Sequence, residues 1–202
     1  MVRSKIIIDL IEDNKDLSRS LEELMVICYE LDNKELIEWI KSELNGYTGE
    51  VKIPDYRKNL PIEILYSGIN GIFKIDNKPL PISAFGDKNE KIMSLNVVTN
   101  SIRELENTSD RYYSRDLTIY SALIKEKIGI SCTNISMRFG ENMPDIIISN
   151  VKTKVIESLL ILEKEFGQLD DYYIDDSNIT NDKVNKINCE LKNILYSNDG
   201  QY

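Results

Sequence analysis

Leu31-Asp32-Asn33-Lys34-Glu35-Leu36-Ile37-Glu38-Trp39-Ile40-Lys41-Ser42-Glu43-Leu44-Asn45-Gly46-Tyr47 is the stretch on which the reading of the fold turns. Leu36, Ile37, Ile40 and Leu44 recur at helical spacing and give one apolar stripe. Asp32 with Glu35 three residues later resembles a capping box, with Asp in place of the usual Ser or Thr. Gly46 stands where a helix stops, at the position that favours a left-handed backbone. Trp39, the only tryptophan, lies beside the stripe and is expected to wedge the helix onto the rest of the domain.

Upstream, residues 5–46 read as helices. Leu17, Leu21, Leu24, Met25, Cys28 and Leu31 share one face, with Asp16 as the expected N-cap. Downstream of Gly46 the character changes, because Pro54, Pro61, Pro79 and Pro81 confine strands to short or edge positions. Residues 62–66 and 71–75 are β-formers around the loop 67–70, which predicts a small hairpin. Helical spacing returns at Leu95, Val98, Ile102 and Leu105, and again over 115–128 before Gly129. Alternating Ile135, Met137 and Phe139 predict a strand over 131–139. Ile148, Val151, Val155, Leu159, Leu162 and Phe166 form the strongest helical stripe, ending before Gly167.

An acidic stretch, 168–180, with Asp170, Asp171, Asp175 and Asp176, reads as a linker. The tail 181–196 carries Val184, Ile187, Leu191, Ile194 and Leu195 in a narrow seam. It folds back onto its own domain or pairs with another subunit, and spacing alone leaves both open. The expected architecture is α+β and helix-dominant: N-terminal helices, a small β-hairpin insertion, then further helices with a long C-terminal helix. The expected organisation is a domain over 1–167, a linker over 168–180 and an amphipathic helix with tail over 181–202.

Composition narrows the chemistry. The 202 residues contain no histidine, so no His-based triad, dyad, general base or zinc site exists. With 25 Lys and Arg against 34 Asp and Glu, the net charge is −9. That sign disfavours broad nucleic-acid binding. The pairs Arg57 with Lys58 and Arg111 with Arg115 read as solvated surface. Cys28, Cys132 and Cys189 lack metal-site spacing and read as reduced thiols. No apolar run suits a signal peptide or a membrane span, so a cytoplasmic protein without membrane association is expected. Gly68-Ile69-Asn70-Gly71 lacks phosphate-loop spacing, and no cofactor is implied. The adjacent tyrosines Tyr112-Tyr113 and Tyr172-Tyr173 suit interfaces.

One catalytic pattern merits weighing. Pro54-Asp55 with Asp76-Asn77-Lys78 fits the loose P-D…(D/E)-x-K arrangement of metal-dependent nucleases. Asp55 and Asp76 would hold Mg²⁺ through hard oxygens while Lys78 activates water. The pattern is short, and Asp76-Asn77 is also an ordinary turn pair.

The quoted stretch, followed by Ile53-Pro54-Asp55-Tyr56-Arg57, resembles the N-terminal signature of the AbiTii family. In that family a helix ending in E-L-x-G-Y leads through an acidic spacer to P-x-Y-R. The preceding Leu17-Ser18-Arg19-Ser20-Leu21 resembles that family's second helix and Leu80-Pro81-Ile82-Ser83 its later P-I-S segment, and the likeness spans about 4–166. The resemblance implies a bacterial protein of abortive infection, the defence against phage. No active-site residues carry across with it. In a structural reading of the signature, Gly46 stops the helix, Tyr47 covers its end, and Arg57 pairs with Glu43 or reaches a carbonyl in the β insertion. In a functional reading, Tyr47, Asp55, Tyr56 and Arg57 line a binding surface where Arg57 grips an anion. The leading expectation is a non-enzymatic interaction or sensing module that is oligomeric through 151–166 and 181–196. The alternatives are the Asp55, Asp76 and Lys78 nuclease and a binder of a small anionic ligand.

Overall fold

The computed structural model describes residues 3–107, 113–172, 174 and 180–196. Arg111, Tyr112, Tyr173, Asp175 and Asp176, singled out above, lie outside them. The described elements run α1 (Lys5–Ile11), α2 (Leu17–Glu30), α3 (Lys34–Asn45), β1 (Ile62–Asn70), β2 (Phe73–Pro79), α4 (Asn89–Met93) and α5 (Ile102–Glu106). They continue with β3 (Ser114–Asp116), α6 (Ser121–Ile128), β4 (Ser131–Phe139), α7 (Met143–Phe166) and α8 (Asn181–Tyr196). The fold is α+β and helix-dominant, with one small antiparallel sheet and a long helix near the C-terminus. The chain divides into two compact units. Unit 1 is Met1–Tyr56, Thr99–Thr108 and Pro144–Tyr202; unit 2 is Arg57–Val98 and Ser109–Met143.

In unit 1, α2 and α3 pack together, α5 packs against both, and α8 lies against α3. Leu21, Leu24 and Cys28 of α2 and Leu36 and Ile40 of α3 are fully buried. The cap of α3 is Asn33 rather than Asp32. Asn33 Oδ1 accepts the Leu36 amide at 3.0 Å, while Asp32 is still turning at φ +45°. Asp16 does occupy the N-cap position of α2, but its side chain makes no capping bond. Instead Glu106 of α5 accepts the Leu17 amide at 2.8 Å, so a distant carboxylate satisfies the helix start. Gly46 takes φ +84°, and a Cβ there would sit 2.9 Å from the Thr99 carbonyl oxygen. That close approach lets the Tyr47 amide donate to the same oxygen at 2.8 Å.

Val151, Val155, Leu159 and Leu162 of α7 are fully buried, as are Ile187, Leu191 and Leu195 of α8. Ile147, rather than Ile148, takes the inward position at the head of the α7 stripe. The tail helix folds back: Asn33 Nδ2 donates to Asn188 Oδ1 at 2.8 Å, and Lys192 pairs with Glu35 at 2.7 Å. Ahead of it, Leu169 is buried and Asp170 accepts the Lys5 amide at 2.6 Å.

Unit 2 is built on the strand order β2-β1-β4-β3, antiparallel throughout. The register Ile64↔Met137 and Tyr66↔Ile135 puts these buried side chains on one face of the sheet, and α6 packs against β4. The hairpin is longer than expected: the strands extend until Asn70 faces Phe73 across the two-residue turn Gly71-Ile72. Gly71 at φ +62° supplies the first turn position that such a hairpin requires. β4 matches the expected strand residue for residue.

The helix expected across Leu95–Leu105 is interrupted. Asn96 pairs through its amide with both backbone groups of Leu60, at 3.1 and 2.8 Å, and the Val98 amide donates to the Arg57 carbonyl at 2.9 Å. Those bonds draw the backbone of 96–98 out of helical pairing. The helix restarts only at α5, where Ser101 and Glu104 form a reciprocal capping box. Likewise the helix expected from 115 opens as β3 and a 3-10 turn. There the Leu117 amide donates to the Ile135 carbonyl at 2.8 Å, and β4 captures the segment.

Gly68 marks the tightest approach in the sheet, since a Cβ there would lie 2.2 Å from the Ser131 carbonyl oxygen. Gly68→Ala is expected to force β1 and β4 apart and destabilise the protein by about 1–3 kcal/mol. A denaturation midpoint equal to that of the wild type would contradict this packing.

Candidate functional site

The signature residues meet at a buried carboxylate. Glu43 lies in the last two turns of α3 and has no exposed surface. Its Oε1 accepts the hydroxyl of Tyr47 at 2.6 Å and that of Tyr56 at 2.6 Å. Tyr56 OH in turn accepts Trp39 Nε1–H at 2.9 Å. Trp39 and Tyr47 are nearly inaccessible at 3% and 5% exposure. A helix stop at Gly46 and a 3-10 turn at Asp55–Arg57 are the local features that bring the two tyrosines to one oxygen. A carboxyl group can lie this deep only where donors satisfy its oxygens.

Lys154 completes this part of unit 1. It projects from the middle of α7, is fully buried, and holds its ammonium 5.7 Å from the Tyr56 ring centre. The same Nζ donates to the Ile194 carbonyl, in the last turn of α8, at 2.7 Å. Sequence reading passed over Lys154, because a lysine beside an apolar stripe looks like flank. Its signal is position: Lys154 and Ser158 are polar, one turn apart, and both buried on a helix whose neighbours Val151 and Val155 are also buried.

Asp55 is exposed, at the start of the same 3-10 turn. Arg57, expected at the surface, is instead fully buried, and its Nη1 donates to the Val98 carbonyl at 3.1 Å. Of the two partners the sequence offered it, the carbonyl lies on the segment following α4 rather than in the hairpin. A buried guanidinium needs internal acceptors for its donors, and the Val98 carbonyl is one of them. Asp76 and Lys78 are exposed on β2, where Ser67 Oγ donates to Asp76 Oδ1 at 2.8 Å. Among the described residues no three His, Cys, Asp or Glu side chains converge as a metal site. Burial pushes the Cys28 thiol far up, away from any nucleophilic thiolate.

A second buried carboxylate anchors the N-terminus. Glu163 of α7 accepts the amide and hydroxyl of Ser4 at 2.6 and 2.7 Å and pairs with Arg3. Ser4 Oγ also receives the Leu169 amide at 3.0 Å. Burial alone would raise this carboxyl, but the Ser4 bonds and the Arg3 guanidinium outweigh it and hold it below its ordinary 4.5. A third knot lies at Glu23, which pairs with Lys15 at 2.9 Å and accepts Tyr172 OH at 3.0 Å. There burial works against the Lys15 charge, yet Glu23 and Asp9 raise its pKa.

The geometry therefore defines an α+β protein whose singled-out aromatic residues serve an internal polar core. Comparison with protein families gives the match that this arrangement invites: the AbiTii family model covers residues 3–188. The chain belongs to the AbiTii family, which ties it to abortive infection, the defence against phage. The match runs past Gly167 into α8. Comparison with curated proteins and with solved structures gave no match. Among the described residues no helix is long and apolar enough to cross a membrane.

The depressed Glu163 carboxyl makes a pH prediction. A folded-state pKa below the ordinary value contributes stability above about pH 4.5 that fades as pH falls through the folded value. The gap in melting temperature between wild type and Glu163→Gln should be widest at neutral pH and close progressively below about pH 4. A gap that widens on acidification would contradict the assignment.

Proposed function

We propose that the chain acts in phage defence through macromolecular contact rather than catalysis, as an interaction or sensing module that assembles with itself or a protein partner. The observation that carries this reading is the distribution of unsatisfied surface. Tyr47, Tyr56 and Trp39 direct their polar atoms inward onto Glu43 or one another, whereas unit 2 presents large apolar side chains to solvent. Ile72 is 91% exposed, Ile119 86% and Phe73 66%. Of these, Ile72 and Phe73 are neighbours at the hairpin tip, where adjacent exposed apolar side chains offer a contact surface.

The charge distribution supports the same placement. Unit 2 carries eleven Lys and Arg against eight Asp and Glu, while unit 1 carries fourteen against twenty-six. Copies or acidic partners approaching unit 2 meet far less repulsion than at unit 1. The seams expected on 151–166 and 181–196 are occupied inside the chain, which moves the proposed contact away from them.

The nuclease alternative finds less support. Asp76 and Lys78 stand on an exposed strand of an antiparallel hairpin, without the parallel core that the pattern implies. An anionic-ligand site at Arg57 would have to open a fully buried guanidinium.

A phage-challenge assay separates these readings. Ile72→Asp combined with Phe73→Asp is expected to abolish protection with the fold retained by circular dichroism. Asp55→Ala and Lys78→Ala should protect like wild type. Protection lost in both single variants, together with Mg²⁺-dependent cleavage by the purified protein, would replace this proposal with the nuclease.

A further inference from the structure

The outer edge of the sheet deepens the interaction reading, on which this inference rests. Among the described residues β2 pairs with β1 alone and ends the strand order, so one side of its backbone faces no other described strand. All of its residues but Ile75 are exposed. An open edge of this kind is a template for another strand.

Which backbone groups point outward follows from the turn. Asn70 and Phe73 flank a two-residue turn and so form a hydrogen-bonded pair, which turns the amide and carbonyl of Lys74 away from β1. Beyond Ile75, Asp76 and Asn77 together face the single residue Ser67 in a bulge. The Asn77 amide is taken inward by Ser67 Oγ at 3.1 Å, leaving Asp76 as the next outward position. The exposed edge therefore offers two outward residues of opposite charge, Lys74 and Asp76.

Two copies meeting antiparallel about a two-fold axis must match outward residues with outward residues. Three registers satisfy this: Lys74 on Lys74, Asp76 on Asp76, or Lys74 on Asp76. Only the last avoids like charges, and symmetry forms its pair twice. Its axis passes through Ile75, sets the two Ile75 side chains opposite each other, and lays each exposed Phe73 beside the other copy's Asn77. Ser67 already holds the Asp76 carboxylate at 2.8 Å, so one ion-pair partner is oriented beforehand. Pro79, with no amide hydrogen, ends the ladder.

We propose that β2 is a homotypic edge through which two copies of this chain pair antiparallel about Ile75. The contact closes on itself, because β3 at the opposite edge is only three residues long and cannot continue the array. A ladder of about five residues buries less than the roughly 1,600 Å² of a standard interface, so association is concentration-dependent.

Sedimentation velocity of the full chain over a concentration series tests this with Lys74→Asp, Asp76→Lys and the double exchange. Each single reversal opposes like charges and should weaken association by about tenfold or more, and the double exchange should restore it. A covalent trap gives a readout that survives if a reversal unsettles the hairpin. Ile75→Cys in a Cys189→Ser background should form a disulfide-linked dimer under mild oxidation, since the Cα atoms of facing non-hydrogen-bonded residues lie about 4.5 Å apart, within disulfide reach. Lys78→Cys, distant from the axis, should not.

Association indifferent to the reversals, with no Ile75→Cys cross-link, would overturn the edge while leaving the interaction reading standing on another surface. A wild type that stays monomeric at every concentration would overturn the pairing. Loss of protection in the challenge assay tests the interaction reading separately.

Discussion

Unit 1 depends on keeping one carboxylate out of water. Removing a glutamate from solvent costs several kcal/mol unless donors surround it, and Glu43 has no exposed surface at all. The chain answers with two tyrosine hydroxyls on one oxygen and an indole N–H behind one of them. This requirement fixes features far apart in sequence. The helix must stop at Gly46 so that Tyr47 can turn back over it, and the 55–57 turn must present Tyr56 at the same oxygen. Lys154 stands over Tyr56 and donates to the Ile194 carbonyl of α8, which links the tail helix to the same core. Taking one donor away leaves a buried acceptor short of a hydrogen bond, which costs more than losing an exposed contact.

That view recasts the E-L-x-G-Y and P-x-Y-R landmarks by which the chain resembles its family. Four of the five residues that matter most in them make internal contacts: Glu43, Tyr47, Tyr56 and Arg57. Asp55 alone is exposed. A motif of this kind can identify a fold by its internal wiring.

Much of the fold was legible because its signals are local. The stripes of α2, α3 and α7, the stop glycines and the alternation in β4 each depend on neighbours within one element. The misreadings came where distant partners won. Leu95 and Val98 keep helical spacing, but Asn96 and the Val98 amide bond the 57–60 segment and hold the chain extended. Asp16 looked like a cap, yet the Glu106 carboxylate does that work from another helix. Asp32 carried the capping pattern, while its positive φ moved the cap to Asn33. For the site, Tyr47 and Tyr56 were legible as members of a motif. Their shared acceptor and the buried Lys154 were not, since neither burial nor convergence on one atom can be read from spacing.

The most direct test compares protection against phage with folded stability in Tyr47→Phe, Tyr56→Phe and Glu43→Gln. Each tyrosine change removes one hydroxyl from the core and should cost about 1–2 kcal/mol. If the signature is internal architecture, protection will fall only as far as the population of folded protein falls, and all three variants will lie on one curve. A variant that keeps its melting temperature and loses protection would contradict that account and make the tyrosine–glutamate cluster the acting site.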